Sequence, residues 1–375
     1  MNRRTDVFKN VKRVVIKIGS RIIASKGAGL NKSRIERLAN EIFHLKEKGF
    51  EIVLVSSGAI LAGMEKLGLK ERPKTIPLKQ AAAAVGQSQL MWLYEKTFKE
   101  HNLHVAQILL TGEDLADRKR FLNSRNTFFT LFDHKVIPIV NENDTVSIDE
   151  IKFGDNDHLA ALVTNLIDGQ LLIILTDVDG LFTADPRTNP HAELLSEVDE
   201  ISEKIEKSAL GSGTLEGTGG MRSKIEAAKK VGAYGVPTLL LNGTHPGILS
   251  LAFGGEAVGT LFRVKGEKLN SRKHWIAFSI RSKGELYLDE GAATALVQKG
   301  KSLLPSGITS VKGIFMAGDA VTCIDPNGKE IAKGLVNYPT PEINQIKGIK
   351  TTQIEKVLGY KFSDEVIHRN NLVIL

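Results

Sequence analysis

The chain has 375 residues, of which 42% are hydrophobic, and a formal net charge of +7. This length and composition exclude a disordered chain and are typical of a folded protein with two domains. One cysteine, Cys323, excludes an internal disulfide, and no apolar stretch has the length of a membrane span or a signal peptide, so we expect a cytoplasmic protein without a membrane partner.

Strands and helices alternate over the first 262 residues. In chain order the pattern predicts a strand at 14–18, a helix at 33–48, a strand at 51–55, helices at 60–67 and 78–100, a strand at 105–110, a helix at 113–134, a strand at 136–140, a helix at 159–167, a strand at 171–175, helices at 199–207 and 221–231, and a strand at 237–241. Such alternation predicts an α/β domain in which helices cover both faces of a mostly parallel sheet, giving three layers.

The pattern changes after residue 262. Residues 263–283 hold seven basic side chains and one acidic side chain. We expect a solvated basic linker there, and contact with nucleic acid, phosphate or an acidic neighbour is the alternative. Short strands at 285–288, 314–316 and 320–324, with a hairpin signal at 325–328, predict a small β-rich second domain at 284–361, followed by a tail at 362–375.

Two lysines lie beside glycine-containing turns. Lys17 is near the end of the first predicted strand, before Gly19 and Ser20, and Lys224 follows the glycines of 218–220 in the first turn of a predicted helix. Strand ends and helix N-termini of this kind bind anions. Two ammonium groups beside one phosphoryl group would stabilise phosphoryl transfer. For either lysine alone, an ordinary surface position is the alternative.

Acidic and amide side chains gather at two further element ends. They are Asn141, Asn143, Asp144, Asp155, Asn156 and Asp157. Amides donate hydrogen bonds to a carboxylate and an aspartate binds an ammonium group, so the mixture suits an amino acid as ligand. Turn and cap roles are the alternative. The sequence has no complete P-loop or dinucleotide glycine motif and no zinc-type cluster of cysteine and histidine.

Motifs along nearly the whole chain match one family. They are VVIKIGS, VSSGAI, AAVGQSQL, NENDTVS, IKFGDNDHLAAL, LTDVDGLFTADPR and TGGMRSK, then DEGA, KSLLPSGI, GDAV and GKEIAKGL. On these motifs the chain resembles the glutamate 5-kinase family of the amino-acid kinase superfamily. The resemblance implies an amino-acid kinase domain at 1–262 and a PUA domain at 284–361. It also implies use of ATP and Mg²⁺ to phosphorylate the γ-carboxylate of L-glutamate to L-glutamyl 5-phosphate, the first step of proline biosynthesis.

The resemblance also implies a homo-oligomer, a dimer or tetramer, with L-proline as feedback inhibitor, and it implies roles for individual residues. Lys17 and Lys224 would be catalytic, with Asp157 holding both. Glutamate would be bound by Ser57, Asn141, Asp144, Asp155 and Asn156, and ATP by Lys17, Thr176, Asp177, Thr218, Gly219, Gly220, Met221, Arg222, Ser223 and Lys224. No residue is assigned to a metal. Glu216 and Arg222 depart from the usual small or apolar residues of the family loop, and His158 is interpreted as structural.

The chemistry of the expected substrate agrees with this interpretation. A glutamate side chain has a pKa of about 4.3 and is ionised at neutral pH, so the reaction needs no general base. A kinase of aspartate or N-acetylglutamate is an alternative, although Asp144 suits a free ammonium group, which an acetylated substrate lacks. RNA binding is a second alternative. We expect a structural or regulatory role for the second domain instead, because residues 284–361 hold nine lysines and eight acids, a weak electrostatic footprint for RNA, and the basic linker is the one feature that favours RNA.

Overall fold

The computed structural model describes residues 3–9, 11–25, 29–146, 156–202, 205, 220–264, 276 and 280–375. The chain divides into two compact units, residues 1–268 and residues 269–375. Within the described residues, no helix has both the length and the apolar character needed to cross a membrane.

A large sheet forms the centre of the first unit. Its described strands are β1 (Arg13–Ile18), β2 (Glu51–Ser56), β3 (Val105–Leu110), β4 (Ile137–Glu142), β5 (Leu171–Thr176), β6 (Glu197–Val198), β7 (Thr238–Asn242) and β8 (Thr260–Phe262). Their order is β3-β4-β2-β1-β5-β7-β8-β6. Neighbours are parallel from β3 to β7, β8 is antiparallel to β7, and β6 is parallel to β8. The prediction of a mostly parallel sheet is confirmed.

Helices pack on this sheet. Those in the described residues are α1 (Arg3–Phe8), α2 (Ser20–Ile23), α3 (Lys32–Glu47), α4 (Ala59–Lys66), α5 (Ile76–Lys99), α6 (Gly112–Ala116), α7 (Arg118–Asp133), α8 (Asn156–Leu166), α9 (Met221–Gly232) and α10 (Ile248–Phe253). The single helix predicted at 113–134 is wrong. Asp117 has an extended backbone, and its side chain accepts the Arg120 N–H and caps α7, so the chain forms two helices.

The other differences between the predicted and the observed elements of the first unit lie in segments with little apolar periodicity. Within the helix predicted at 199–207, residues 199–202 are not helical and residue 205 is helical. Residues 203, 204, 206 and 207 lie outside the described residues. The short elements α1, α2, β6, β8 and α10 are not predicted, because two- to six-residue elements show too little periodicity to be recognised.

The apolar core explains why the central strands form. Val14, Val15, Ile16 and Ile18 of β1 are fully buried on both faces of the sheet. Parallel strands covered on both faces require such continuous apolar runs. Lys17 interrupts the run near its carboxyl end and pairs in register with Val55 of β2 and Ile174 of β5. The one charged residue of the buried run therefore lies at the edge where parallel strands end.

Two glycines allow α4 and α5 to touch through their backbones. A Cβ added at Gly63 would lie 1.8 Å from the Ala82 carbonyl oxygen, and one added at Gly86 would lie 1.8 Å from the Ala59 carbonyl oxygen. The helix α4 begins at Ala59, directly after β2 and the turn at Gly58, which has a φ of 110°. The close packing therefore fixes the N-terminus of α4 at the carboxyl edge of the sheet.

The second unit has its own sheet. Its strands are β9 (Gly284–Leu288), β10 (Ile308–Gly313), β11 (Ala320–Ile324), β12 (Glu330–Leu335) and β13 (Leu372–Ile374), in the order β10-β9-β11-β12-β13. The helices α11 (Glu290–Val297), α12 (Thr340–Ile346) and α13 (Ile354–Leu358) accompany it. The hairpin predicted at 325–328 joins β11 to β12. Residues 362–375, expected to form a tail, supply β13.

The prediction of a strand at 314–316 is wrong. The strand in this part of the chain is β10, which ends at residue 313. Of the three apolar residues that suggested it, only Phe315 is buried, whereas Ile314 is 88% exposed and Met316 is 67% exposed. The apolar run therefore belongs to a loop that inserts one ring into the core.

The glycine contacts between α4 and α5 generate a stability prediction. Gly63→Ala or Gly86→Ala should lower the free energy of unfolding by about 1–3 kcal/mol, because the added methyl group overpacks a backbone contact. The matched control is Gly232→Ala, where a Cβ would meet no described atom within 4 Å. Urea unfolding followed by circular dichroism measures the change, and equal stability of Gly63→Ala and Gly232→Ala would contradict the packing argument.

Candidate active site

The polar residues predicted as functional come together at the carboxyl edge of the first sheet. Lys17 is near the end of β1, Ser57 follows β2, Asn141 is near the end of β4 and Thr176 ends β5. The helix α8 starts at Asn156. Asn156 and Asp157 thus lie inside the first helical turn, and not ahead of a helix beginning at residue 159 as predicted.

A single carboxylate contacts both lysines. Lys17 Nζ lies 2.5 Å from Asp157 Oδ1, and Lys224 Nζ lies 3.1 Å from Asp157 Oδ2. Asp157 is completely buried, and each lysine is about nineteen-twentieths buried (5% and 6% exposed). Two ammonium groups that are 207 residues apart in the sequence therefore meet at one point, between β1 and the start of α9.

Asp157 remains ionised in this environment. Burial alone would raise the pKa of its carboxyl group, but the ammonium groups of Lys17 and Lys224, together with a hydrogen bond from Ser223, hold the pKa well below its usual range. Ser223 Oγ donates to Asp157 Oδ2 at 2.7 Å. The two lysines and one aspartate thus carry a net charge of +1 at neutral pH, which favours an anionic ligand.

A chain of side-chain amides, which we call the amide relay, runs through Asn156, Asn141 and Gln87. Asn156 Nδ2 lies 3.0 Å from each of three acceptors: the Ser56 carbonyl oxygen, Ser57 Oγ and Asn141 Oδ1. Asn141 Nδ2 donates to Gln87 Oε1 at 2.8 Å. A carbonyl only accepts, so the Ser56 carbonyl fixes the Asn156 amide and, through it, the orientation of the other two amides.

The helix α5 supports this side of the site at two points. Besides Gln87, it supplies Tyr94, whose OH lies 2.8 Å from Ser56 Oγ. Burial raises the pKa of Tyr94 to about 12, although the bond to Ser56 opposes the shift, so its OH stays protonated. Sequence reasoning missed both residues. Their spacing of seven, which places them on one face of a helix, is a signal that could have found them.

Residues of the predicted nucleotide side lie at the end of β5 and at the start of α9. Thr176 is buried, whereas Asp177 is exposed and its Oδ2 accepts from Arg21 Nη1 at 2.8 Å. Arg21, in α2, was not predicted. The pKa of Asp177 is lowered because its bonds to Arg21 and Thr176 outweigh the opposing effect of burial. The Arg21 contact thus joins α2 to the end of β5.

The remaining predicted residues are less closely connected to this cluster. Gly220 is the N-cap of α9 and Met221 begins it, while Arg222 is exposed and forms an ion pair with Glu226 on its own helix. Asp144 lies half-buried in the turn after β4. The predicted residues Asp155, Thr218 and Gly219, and the unusual Glu216, lie outside the described residues.

In the described part of the chain, no group of three or more His, Cys, Asp or Glu side chains could hold a metal ion.

Comparison with known proteins assigns both units. The amino acid kinase family matches residues 12–242 and the PUA domain matches residues 284–358. Glutamate 5-kinases from Geobacter metallireducens and Geobacter sulfurreducens are 55% and 53% identical, each over 99% of this chain and 100% of its own length. Among solved structures, carbamate kinase from Giardia lamblia bound to AMP-PNP aligns with a TM-score of 0.49 and 20% identity, over 68% of this chain and 99% of that chain.

The buried charges generate a stability prediction. Asp157→Asn leaves two buried ammonium groups without their shared counter-charge, and it should lower the free energy of unfolding by about 3–5 kcal/mol. The control is Asp199→Asn, because Asp199 is an exposed partner of Arg263 and should cost less than about 1 kcal/mol. Urea unfolding at pH 7 measures both changes, and equal losses would contradict the buried triad.

The lowered pKa of Asp157 makes the stability of the folded protein depend on pH. An aspartate side chain in an unfolded chain has a pKa of about 3.9, whereas the ammonium groups of Lys17 and Lys224 hold the pKa of the folded Asp157 lower. The stabilisation is therefore complete above the unfolded pKa and is lost as pH falls through the folded pKa. Between pH 5 and pH 3 the free energy of unfolding of the wild type, measured with urea, should fall more than that of Asp157→Asn. Equal falls in both proteins would contradict the lowered pKa of Asp157.

Proposed function

The chain belongs to the amino acid kinase family, among the glutamate 5-kinases that carry a PUA domain, and from this premise we propose that it phosphorylates L-glutamate with ATP. The product is L-glutamyl 5-phosphate, in the first step of proline biosynthesis. The single observation that supports this function best is the meeting of Lys17 and Lys224 at Asp157.

The reaction requires positive charge and no general base. An oxygen of the γ-carboxylate forms a bond to the γ-phosphorus of ATP, the bond from that phosphorus to the bridging oxygen breaks, and ADP leaves. The carboxylate is already ionised, since its pKa is about 4.3. Two anions must approach each other, so the ammonium groups of Lys17 and Lys224 reduce their repulsion and stabilise the charge of the transition state. Asp157 is a positioning residue for both.

Helix N-termini add to this positive field. The helix α9 begins at Met221, three residues before Lys224, and α4 begins at Ala59, directly after Ser57 and Gly58. Free backbone N–H groups and the positive end of the helix dipole favour phosphate and carboxylate groups at such positions. The lysines and the helix ends therefore fit the phosphates of ATP.

We include Mg²⁺ in the proposal. The ion, when bound, would neutralise phosphate charge and is usually held by phosphates, water and one or two carboxylates. The buried carboxylate of this cluster, Asp157, already contacts Lys17 and Lys224. We therefore assign the ion mainly to the phosphates and not to Asp157.

The amide relay supports the binding of an amino acid. Its member Asn141 is on β4, two strands away from Lys17 on β1, and its member Asn156 bonds Ser56 and Ser57 at the end of β2, one strand away. Glutamate would place its γ-carboxylate toward Lys17 and its α-carboxylate and ammonium group toward Asn141 and Asp144. Inhibition by L-proline, a homo-oligomeric state and a cytoplasmic location are proposed from the family resemblance.

Acid specificity tests the proposed function directly. With ATP and Mg²⁺, trapping the acyl phosphate with hydroxylamine should give a hydroxamate from L-glutamate and little from L-aspartate or N-acetyl-L-glutamate. Reactions without ATP are the blank. Turnover of another acid in place of L-glutamate would refute the proposal.

Removal of either lysine tests the charge requirement. Lys17→Met and Lys224→Met should each lower kcat by about 10³-fold, the size expected for one transition-state donor. Each variant keeps one ammonium group on Asp157, so the melting temperature should fall only slightly. Lys229→Met, an exposed lysine on α9, is the matched control. Wild-type turnover in either site variant would remove that lysine from the mechanism.

Substitution of Gln87, the outer member of the amide relay, should weaken the binding of L-glutamate. Gln87→Met removes the acceptor of the Asn141 N–H, so the KM for L-glutamate should rise about tenfold, the size expected for a lost hydrogen bond that orients a ligand group, with kcat nearly unchanged. Gln89→Met, two residues along α5, is the control. An unchanged KM in Gln87→Met would show that the relay does not position glutamate.

A further inference from the structure

A second polar contact joins α8 to α9 beside Asp157. Lys230 Nζ lies 2.6 Å from His158 Nδ1. An ammonium group can only donate, so Nδ1 is the acceptor and the ring proton is on Nε2. Burial lowers the pKa of His158 to about 4, with a further contribution from the charge of Lys230. The imidazole is therefore neutral near pH 7 and accepts a hydrogen bond from a cation.

The positions along α9 show what this contact adds. Ser223 and Lys230 are seven residues apart, which puts them on one side of the helix and about 10 Å apart along its axis. Ser223 bonds Asp157, and Lys230 bonds His158, the next residue of α8. Long side chains of a helix lean toward its N-terminus, so the Lys230 ammonium group reaches back toward the start of α8.

Buried side chains such as Ile225 and Val231 hold α9 in the domain, and the bonds of Ser223 and Lys230 add two polar contacts to α8 from positions separated along the axis of α9. Ala227 lies between Ser223 and Lys230 on the same side of α9 and is 1% exposed, so this side of the helix is covered. Lys224 follows Ser223 directly, and its ammonium group contacts Asp157. A change in the direction of α9 therefore changes the position of the Lys224 ammonium group.

We propose that His158 and Lys230 are positioning residues for phosphoryl transfer, because their hydrogen bond fixes α9 against α8 and so places the Lys224 ammonium group at Asp157. The inference rests on the proposed function, in which Lys224 stabilises the transferred phosphoryl group. It gives His158 a role in the reaction although its ring has no part in proton transfer.

Kinetics of matched variants test the inference. Lys230→Met and His158→Leu should each lower kcat about tenfold, within the range known for small misplacements of a catalytic group. The KM for L-glutamate should change less than about twofold, because the amide relay is untouched. His158→Gln should restore most of kcat, since its side-chain oxygen can accept from Lys230. Lys229→Met should behave like the wild type.

The double variant His158→Leu/Lys230→Met separates one shared contact from two independent effects. If the residues act through their hydrogen bond, the double variant should be about as slow as either single variant, because interacting residues are not additive. Multiplied losses, or an unchanged kcat in Lys230→Met, would overturn the inference while leaving the proposed function in place.

A structural measurement decides the inference without turnover. Crystal structures of the wild type and of Lys230→Met should differ in the distance between Lys224 Nζ and Asp157 Oδ2, which should exceed hydrogen-bond length only in the variant. The same distance in both would overturn the inference. A wild type that fails to phosphorylate glutamate would refute the proposed function, and these two structures would still decide whether Lys230 positions Lys224.

Discussion

The structure depends on one buried carboxylate shared by two ammonium groups. Removal of three charges from water is costly, and it is offset only by short contacts and by further hydrogen bonds to the carboxylate. Lys17, Lys224 and Ser223 supply those contacts to Asp157. Because the three partners come from β1 and α9, and Asp157 from α8, all three elements must be correctly placed before the charges are compensated. The same charges that would carry out the chemistry therefore also constrain the fold.

The strand order explains why this point is a ligand site. β2 and β4 lie on one side of β1, and β5 and β7 lie on the other. In open parallel sheets, ligands bind at the carboxyl ends of strands where the order changes direction. Lys17 is at that place on β1. The amide relay lies on the side of β2 and β4, while Thr176 and Asp177 lie on the side of β5, so the two substrates of a transfer reaction would approach Lys17 from opposite sides.

Much of this arrangement could be predicted from the sequence, for physical reasons that also explain the failures. Buried parallel strands require long apolar runs, so the sequence predicts β1, β2 and β5 to within one residue at each end. Asp117 shows the limit, since its capping bond to Arg120 divides a helix that apolar periodicity alone makes continuous. The spacing of seven between Gln87 and Tyr94 places them on one face of α5, but it does not show that this face contacts Asn141 and Ser56. Such pairings depend on tertiary distance and become visible only in the folded chain.

The charge balance of the site also explains the unusual state of His158. The triad of Lys17, Lys224 and Asp157 has a net charge of +1, which attracts an anion without leaving two buried cations uncompensated. A protonated imidazole in the next position would add positive charge beside that triad and beside Lys230. Burial prevents this by lowering the pKa of His158, and the neutral ring can then accept the Lys230 N–H. The helix contact and the charge of the site are therefore compatible only while the imidazole is neutral.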